Sequence, residues 1–312
     1  MKEIHNLIED FLFHCKYEKN LSPLSLKAYS IDLNQFLVFL KSKNITNILD
    51  IDKYVLRDYL KELFEKGKPK TVKRKIASVK ALFTYLEFED IVLINPFHKM
   101  KLSIKEGKQL PKTIELKKIK KLFAYFYSKK ENAQNKNRYG YKALVRDIAV
   151  LELLFASGMR VSELATLKLK NINFSRGFVI IKGKGNRERI IPIPHSDIIN
   201  ALKSYYELFK EEINNSKYFF INRFNSRLSE QSIRLMIRKY TKVVNLQQHI
   251  TPHMFRHSVA TLLLENGVDI RYIQNILGHS TINTTQIYAQ VNEAPKRKIL
   301  KLKHPRRSFE LS

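Results

Sequence analysis

The sequence has a single cysteine, Cys15, no tryptophan, and only nine glycines and nine prolines in 312 residues. One thiol excludes a disulfide framework and any zinc site built from several thiolates. No apolar run approaches the roughly 18 residues that cross a bilayer, and even AVLELLF contains Glu152. The first residues, MKEIHNLIEDFLFH, carry acidic side chains where a signal peptide needs an apolar core. We therefore expect a cytoplasmic protein without a membrane segment.

Several common catalytic motifs are also missing. There is no GxxxxGK[ST] phosphate loop, no GxGxxG that opens a helix, and no HExxH. The GKG at 183–185 lies between two strand-like segments, a context that does not fit a phosphate loop. Acidic pairs that could hold Mg²⁺ do not cluster, which argues against a two-metal nuclease. We predict neither a cofactor nor a metal site.

Positive charge is what the sequence has in excess. It contains 57 Lys and Arg against 29 Asp and Glu, a net charge of +28. The surplus is 5 in residues 1–104 and 23 in residues 105–312. Such a surplus indicates a polyanionic partner, with nucleic acid as the first candidate. On charge alone, a basic protein from a lysine-rich proteome is the alternative.

The segment 95–112 divides the chain. Its sequence, NPFHKMKLSIKEGKQLPK, combines two prolines and a glycine with several lysines and little helical periodicity. This composition is typical of a linker. We expect a DNA-binding domain at 1–94 and a second domain at 113–312; a long loop within one domain is the alternative.

Apolar periodicity predicts a mainly α protein. Before the linker, four amphipathic helices make a small bundle, the second beginning at the Ser22-Pro23 cap. After the linker, helices flank one β-hairpin, FVIIK and RIIPI, around a turn that includes Lys184. The second domain is thus expected to be α-helical with a small antiparallel sheet.

Basic and phenolic residues recur beside glycines or helix starts in the second half. They are Arg160 and Glu163 in SGMRVSEL, Lys184 in the hairpin turn, His253 and Arg256 in PHMFRHSVAT, His279 in LGH, and Tyr288 in STINTTQIYAQV. Residues three apart on a helix share a face. Each residue alone has a structural explanation, such as a surface ion pair or a packed tyrosine. Together they indicate a functional constellation.

With these segments the chain resembles the tyrosine recombinase (phage integrase) family, most closely its Xer branch. The matching segments are SGMRVSELATLK, IKGKGNRERIIPIP, the run from His253 to Tyr288, the N-terminal KNLSPLSLKAYSIDL, and KHPR at 303–306. They cover nearly the whole chain in the expected order. The polar insert at 131–141 departs from the pattern but contains none of the motif residues.

The resemblance implies a SAM-like four-helix core-binding bundle and a catalytic domain that together form a C-shaped clamp on DNA. It implies cleavage by Tyr288 through a 3′-phosphotyrosyl link and a Holliday junction, without ATP. The implied catalytic residues are Arg160, Lys184, His253, Arg256, His279 and Tyr288, with Glu163 in support. The arginines would neutralise the phosphoryl oxygens and Lys184 would protonate the departing 5′-oxygen, while the histidines assist proton transfer and bind the phosphate.

The implied partners are double-stranded DNA with a dif-like or attachment site and a tetramer built from this chain or shared with a paralogue. Residues 290–304 resemble the segment that packs onto a neighbouring protomer. Whether a DNA translocase takes part stays open. So do three other functions: a mobile-element integrase, a type IB topoisomerase, and a recombinase that has lost its activity.

For base readout we expect two pairs of residues. They are Lys73 and Arg74 in the fourth helix, and Arg234 and Arg238 in a later one. Phosphate contact is the alternative for each of the four.

Overall fold

A computed structural model describes residues 3–105, 112–136, 138–182, 188–278 and 293–309, except the side chains of 293–296. The chain divides into two compact units, residues 1–109 and 110–312. Both are mainly helical, as predicted, and the sheet lies in the second. Within the described ranges, no helix combines the length and the apolar content needed to cross a bilayer.

The first unit is the predicted helical bundle. Its helices are α1 (Ile4–Phe13), which continues as a π-helical turn (His14–Glu18), α2 (Pro23–Ser42), α3 (Lys53–Lys66) and α4 (Pro69–Phe88). The cap predicted for α2 is present, because Ser22 Oγ accepts a hydrogen bond from the Ser25 main-chain N–H (3.2 Å). The helices enclose a core in which Phe36 and Phe83 are fully buried.

The segment 95–112, predicted to be a linker, begins as part of this first unit. The Phe97 ring is buried, with its centroid 6.0 Å from that of Phe83. Met100, Leu102 and Ile104 also pack against the same core. These three residues alternate with polar ones, so an extended chain places them on one side. A period of two residues differs from the helical period, and the segment therefore shows little helical periodicity although it is packed. The packed region thus continues about ten residues past the boundary expected at residue 94.

The second unit combines helices with one antiparallel sheet. Its elements are α5 (Leu116–Glu131), α6 (Tyr139–Ser157), α7 (Val161–Ala165), β1 (Ile172–Asn173), β2 (Phe178–Lys182), β3 (Glu188–Pro192), α8 (Ser196–Leu208), α9 (Lys210–Asn214), α10 (Glu230–Val243), α11 (Pro252–Glu265), α12 (Ile270–Leu277) and α13 (Glu293–Lys303). The strand order is β1-β2-β3, and Ile181 of β2 lies opposite Arg189 of β3. The predicted hairpin is confirmed, whereas β1 and α7 are too short to produce a periodic pattern.

Helix α6 is the centre of the second unit, with nearly its whole C-terminal half buried. It ends at Gly158, whose φ of 56° lies in the left-handed region. Glycine adopts this φ without strain, and a Cβ here would lie 2.5 Å from Leu277 Cδ2, so the leucine side chain would have to shift. The end of α6 and the end of α12 therefore lie close together.

The C-terminal segment packs against its own unit. Leu300 of α13 is buried in the core, and the His304 ring nitrogen Nε2 lies 3.1 Å from the Phe155 carbonyl oxygen. Pro305–Ser308 forms a 3-10 turn in which Arg306 is enclosed. The neighbour-contacting role expected for 290–304 stays a prediction.

Candidate active site

Three arginine side chains converge on the C-terminal end of α12. Each donates a hydrogen bond to a different one of three successive backbone carbonyls. The pairs are Arg189 Nε with Ile276 O (3.2 Å), Arg256 Nη2 with Leu277 O (2.7 Å) and Arg160 Nη2 with Gly278 O (3.3 Å). The last carbonyls of a helix lack partners within the helix and carry partial negative charge, so guanidinium groups suit them.

Gly278 is what allows α12 to stop there. Its φ is 69°, and its N–H returns to the Gln274 carbonyl oxygen (2.8 Å). This left-handed glycine ends α12. His279, the next residue, lies outside the described residues.

Arg160 is fixed at the start of α7 by Glu163. The Glu163 carboxylate accepts from the Arg160 main-chain N–H (2.8 Å) and from Arg160 Nη1 (3.0 Å). The first contact satisfies one of the N–H groups that a helix start leaves without a partner. The Arg160 side chain stays 38% exposed, so a phosphate can reach it.

Glu163 is itself held by a second arginine. Arg189 Nη1 and Nη2 donate to its two oxygens at 2.9 and 2.8 Å, a bidentate pair. Burial raises the pKa of Glu163, but the hydrogen bonds from Arg189 and from the Arg160 main chain outweigh it and hold the pKa below its usual value. The carboxylate is therefore ionised at neutral pH.

Arg256 is buried and joins the ends of α6 and α12. Its Nη1 donates to the Gly158 carbonyl oxygen (2.9 Å), while its Nη2 binds α12. Burial, and then the charge of Arg160, lowers its pKa to about 10, so the guanidinium is still protonated at neutral pH. Three guanidinium groups around one carboxylate give this group of described side chains a net positive charge, which suits an anionic ligand.

His253 lies one turn before Arg256 on α11 and is partly exposed. Its partial burial lowers its pKa, as do the charges of His257, Arg234 and Arg256. The neutral imidazole therefore predominates at pH 7, which allows this ring to accept a proton.

The structure thus brings Arg160, Glu163 and Arg256 together and places His253 on the same helix as Arg256. Lys184 and Tyr288, like His279, lie outside the described residues. Lys182 Nζ at the end of β2 and Glu188 Oε1 at the start of β3 form an exposed ion pair at 3.0 Å.

Among the residues expected to read bases, Arg74 and Arg234 lie in ion pairs. Arg74 forms an ion pair with Asp32, which is fully buried, and Ser78 Oγ donates to the same carboxylate (2.8 Å). Arg234 Nη2 pairs with Glu230 across one helical turn (2.8 Å). Lys73 and Arg238 are exposed. Base contact stays a prediction, and for Arg74 the pair with the buried Asp32 favours the alternative, phosphate contact.

Sequence reasoning missed Arg189, which the structure places at the centre of the site. The available clue was a charged residue inside an isoleucine-rich strand, where an apolar side chain is expected. Its side chain is only 12% exposed and faces α12 and Glu163.

Two family models match the chain and together cover most of it. The phage integrase family matches residues 112–294, and the phage integrase N-terminal SAM-like domain matches residues 8–90. This chain belongs to the phage integrase family. The matched ranges contain all six positions predicted to be catalytic.

Similar proteins identify it further. A tyrosine recombinase of Agathobacter rectalis is 44% identical over 309 residues, covering 99% of each chain. The tyrosine recombinase XerD of Staphylococcus saprophyticus is 35% identical over 306 residues, covering 96% of this chain and 99% of its own. The protein is a tyrosine site-specific recombinase of the Xer type, as its motifs predicted.

Solved structures share the fold of this recombinase. A XerH recombinase bound to palindromic difH substrate has a TM-score of 0.70 at 21% identity, covering 95% of this chain and 84% of its own. A lambda integrase fragment bound to a core site has a TM-score of 0.68 at 15% identity, covering 92% of this chain and all of its own. At these identities the likeness concerns the fold alone.

Proposed function

We propose that this recombinase cuts and rejoins double-stranded DNA through a covalent link to Tyr288, and that it resolves chromosome or plasmid dimers. The observation that carries this proposal is the anchoring of Arg160 and Arg256 on consecutive carbonyls, Gly278 O and Leu277 O. Two guanidinium groups held side by side by rigid main-chain contacts can bind both non-bridging oxygens of one phosphodiester.

Strand cleavage needs this arrangement because negative charge builds on the phosphoryl oxygens as phosphorus becomes five-coordinate. Donors that are already fixed do not have to reorganise during the reaction. Glu163 holds Arg160 in place and is ionised, so it also orients the cation electrostatically. Arg256 stays charged although it is buried.

The other roles follow from the order of bond changes. The Tyr288 oxygen attacks phosphorus and forms the 3′-phosphotyrosyl bond, while the bond to the 5′-oxygen breaks. His253 assists by accepting the proton that the Tyr288 hydroxyl loses, Lys184 donates a proton to the departing 5′-oxygen, and His279 binds the phosphate. The phosphodiester energy is kept in the covalent link, so rejoining requires no ATP.

DNA binding is proposed to involve both parts of the chain. Residues 1–94 and 113–312, joined through 95–112, would enclose a duplex as a C-shaped clamp. The net charge of +28 supports many phosphate contacts and a steep salt dependence. Such a protein would be found with the nucleoid in the cytoplasm.

A tetramer on two DNA sites is the proposed working form. A solved lambda integrase with the same fold is a tetramer bound to a Holliday junction, which supports the proposal. The DNA would carry a dif-like site, and the neighbouring protomers would be copies of this chain or of a paralogue. A DNA translocase as activator belongs to the same proposal.

The covalent step is tested with a labelled suicide substrate on denaturing gels, in chelator so that metal-dependent nicking cannot contribute. The unaltered protein should form a covalent adduct, and Tyr288→Phe should bind DNA equally but form none. An adduct from Tyr288→Phe would refute the assignment. A plasmid with two sites separates recombination from simple relaxation by a topoisomerase.

The proposed contact of residues 290–304 with a neighbouring protomer is better tested by a substitution than by a truncation. Cutting after Asn292 would remove Leu300 and Arg306, which are buried in the chain's own core, and would destabilise the domain. Leu302 is 47% exposed on α13, so Leu302→Glu leaves that core intact. We expect it to abolish cooperative binding to paired sites in a gel-shift series; unchanged cooperativity would contradict a contact through this face.

A further inference from the structure

We propose that Arg189 is a positioning residue for strand cleavage, which holds Arg160 against the phosphate through Glu163 and fixes the end of α12 at the same time. This inference rests on the function proposed above. It adds a third arginine to the site, one that acts on the other groups rather than on DNA.

The first support is the way in which Glu163 is shared. Its Oε1 accepts from Arg160 Nη1 (3.0 Å) and Arg189 Nη1 (2.9 Å). Its Oε2 accepts from the Arg160 main-chain N–H and from Arg189 Nη2, both at 2.8 Å. Arg189 therefore supplies two of the four hydrogen bonds that hold the carboxylate. The orientation of Glu163, and through it that of Arg160, depends on Arg189.

The second support is the remaining contact of the same guanidinium group. Arg189 Nε binds Ile276 O, the first of the three carbonyls at the end of α12. The next two are the carbonyls that anchor Arg256 and Arg160. The Arg189 side chain thus connects β3 both to Glu163 and to the end of α12.

Arg189 and Arg160 differ in how far their side chains are exposed and in which groups they contact. The Arg189 side chain is 12% exposed, with its donors directed at Glu163 and at the Ile276 carbonyl. The Arg160 side chain is 38% exposed and can reach a ligand. Glu163 takes both Nη groups of Arg189 and the Ile276 carbonyl takes Nε, so this side chain positions the other groups of the site.

Removal of Arg189 should change the position of the Arg160 side chain. Glu163 has only 6% of its side chain exposed, so without Arg189 its charge would be balanced by Arg160 alone. A carboxylate that loses one of two cationic partners binds the other more closely. Arg160 would then be drawn towards Glu163 and away from the phosphate, so cleavage should suffer more than DNA affinity.

The test is single-turnover cleavage of suicide substrates, with rates normalised to the DNA-bound fraction. We expect Arg189→Met to lower the cleavage rate by about 100-fold, as when one fixed oxyanion donor is lost. Arg189→Lys should restore part of this rate because it keeps the charge but not the bidentate geometry. Glu188→Gln changes the neighbouring residue of β3 and breaks its exposed pair with Lys182 of β2; it is the matched control and should cleave normally.

A second substrate distinguishes the phosphate clamp from the leaving-group acid. A 5′-bridging phosphorothiolate leaves as a thiolate and hardly needs a proton donor. It should rescue Lys184→Ala, but it should not rescue Arg189→Met, whose defect lies at the phosphoryl oxygens. Rescue of Arg189→Met by sulfur would overturn the inference, because Arg189 would then act through the hairpin that contains Lys184.

A double-mutant comparison guards against a simple folding defect, and circular dichroism checks each variant. If Arg189 acts partly through Glu163, then Arg189→Met should lower the cleavage rate by a smaller factor in the Glu163→Gln background than in the unaltered protein. Additive losses, or a wild-type rate from Arg189→Met, would refute the inference. Failure of the unaltered protein to form an adduct would instead refute the proposed function.

Discussion

Arg306 and Glu152 form a bidentate ion pair that is almost completely enclosed, with Arg306 Nε 2.9 Å from Oε2 and Nη2 2.8 Å from Oε1. The two side chains are 1% and 0% exposed. Tyr127 donates its hydroxyl to the same carboxylate (2.8 Å). The arginine of the KHPR motif therefore fixes the end of the chain to the middle of α6, the central helix of the catalytic unit.

The loss of Arg306 should destabilise the protein strongly. Arg306→Met leaves the Glu152 charge buried with only the tyrosine hydroxyl, and breaking such a pair costs about 3–5 kcal/mol. Arg307→Met is the matched control, since Arg307 is exposed and contacts only the Leu302 carbonyl oxygen among the described contacts. Urea unfolding measures both variants. Equal stability of the two variants would show that the enclosed pair contributes nothing.

The charge of Glu152 can also be removed together with that of Arg306. Replacing both residues by methionine leaves no uncompensated charge, so we expect much of the stability lost in Arg306→Met to return. A double variant less stable than Arg306→Met would contradict this account of the pair.

His304 should make the stability of the recombinase depend on pH. Burial, and then the positive charge of His195, lowers its pKa to about 3 from a usual value of 6.5. The folded state binds the proton less well than the unfolded state, so the stabilisation is complete above pH 6.5 and decreases as the pH falls towards 3. Between pH 8 and pH 5 we expect His304 to account for a loss of about 2 kcal/mol.

Urea unfolding of the unaltered protein and of His304→Gln at both pH values isolates this contribution. The variant is expected to be less stable at pH 8 but to lose less on acidification. The same loss in both proteins would show that another group causes the pH dependence.

Arg74 is expected to contact phosphate rather than bases. Its ion pair with the fully buried Asp32 holds the guanidinium at the helix surface, where it cannot extend into a groove without exposing an unpaired buried carboxylate. Arg74→Met should therefore lower the melting temperature and weaken binding by a similar factor across a panel of site variants. Lys73→Met serves as the neighbouring comparison. Relaxed preference at one base position in Arg74→Met would instead indicate base contact.

The sequence predicted the helical bundle and the hairpin because periodicity and turn residues are local signals, whereas the grouping of Arg160, Glu163 and Arg256 was implied by the family resemblance. It did not reveal Arg189 or the Arg306–Glu152 pair. Arg306 and Glu152 are 154 residues apart, and their pairing depends on how the Pro305–Ser308 turn packs against α6. Charged residues inside apolar segments were the only indication of both contacts, and such a pattern does not identify the partner.

Gly278 and Gly267 have similar backbone conformations but different surroundings. Both follow a helix with positive φ, 69° and 74°, so alanine imposes a similar backbone strain of about 1 kcal/mol at either site. A Cβ at Gly278 would lie 3.0 Å from Arg189 Nη1, whereas a Cβ at Gly267 would meet nothing within 4 Å.

Gly278→Ala should therefore impair cleavage where Gly267→Ala does not. The Arg189 guanidinium cannot move away without loosening its bonds to Glu163 or to the Ile276 carbonyl, and small misplacements in a preorganised site are costly. We expect roughly a tenfold lower single-turnover cleavage rate for Gly278→Ala, with DNA affinity close to normal. Thermal melting should show similar losses in the two variants, which separates backbone strain from the effect on Arg189. If both variants cleave at the same rate, the close approach of Gly278 to Arg189 has no part in catalysis.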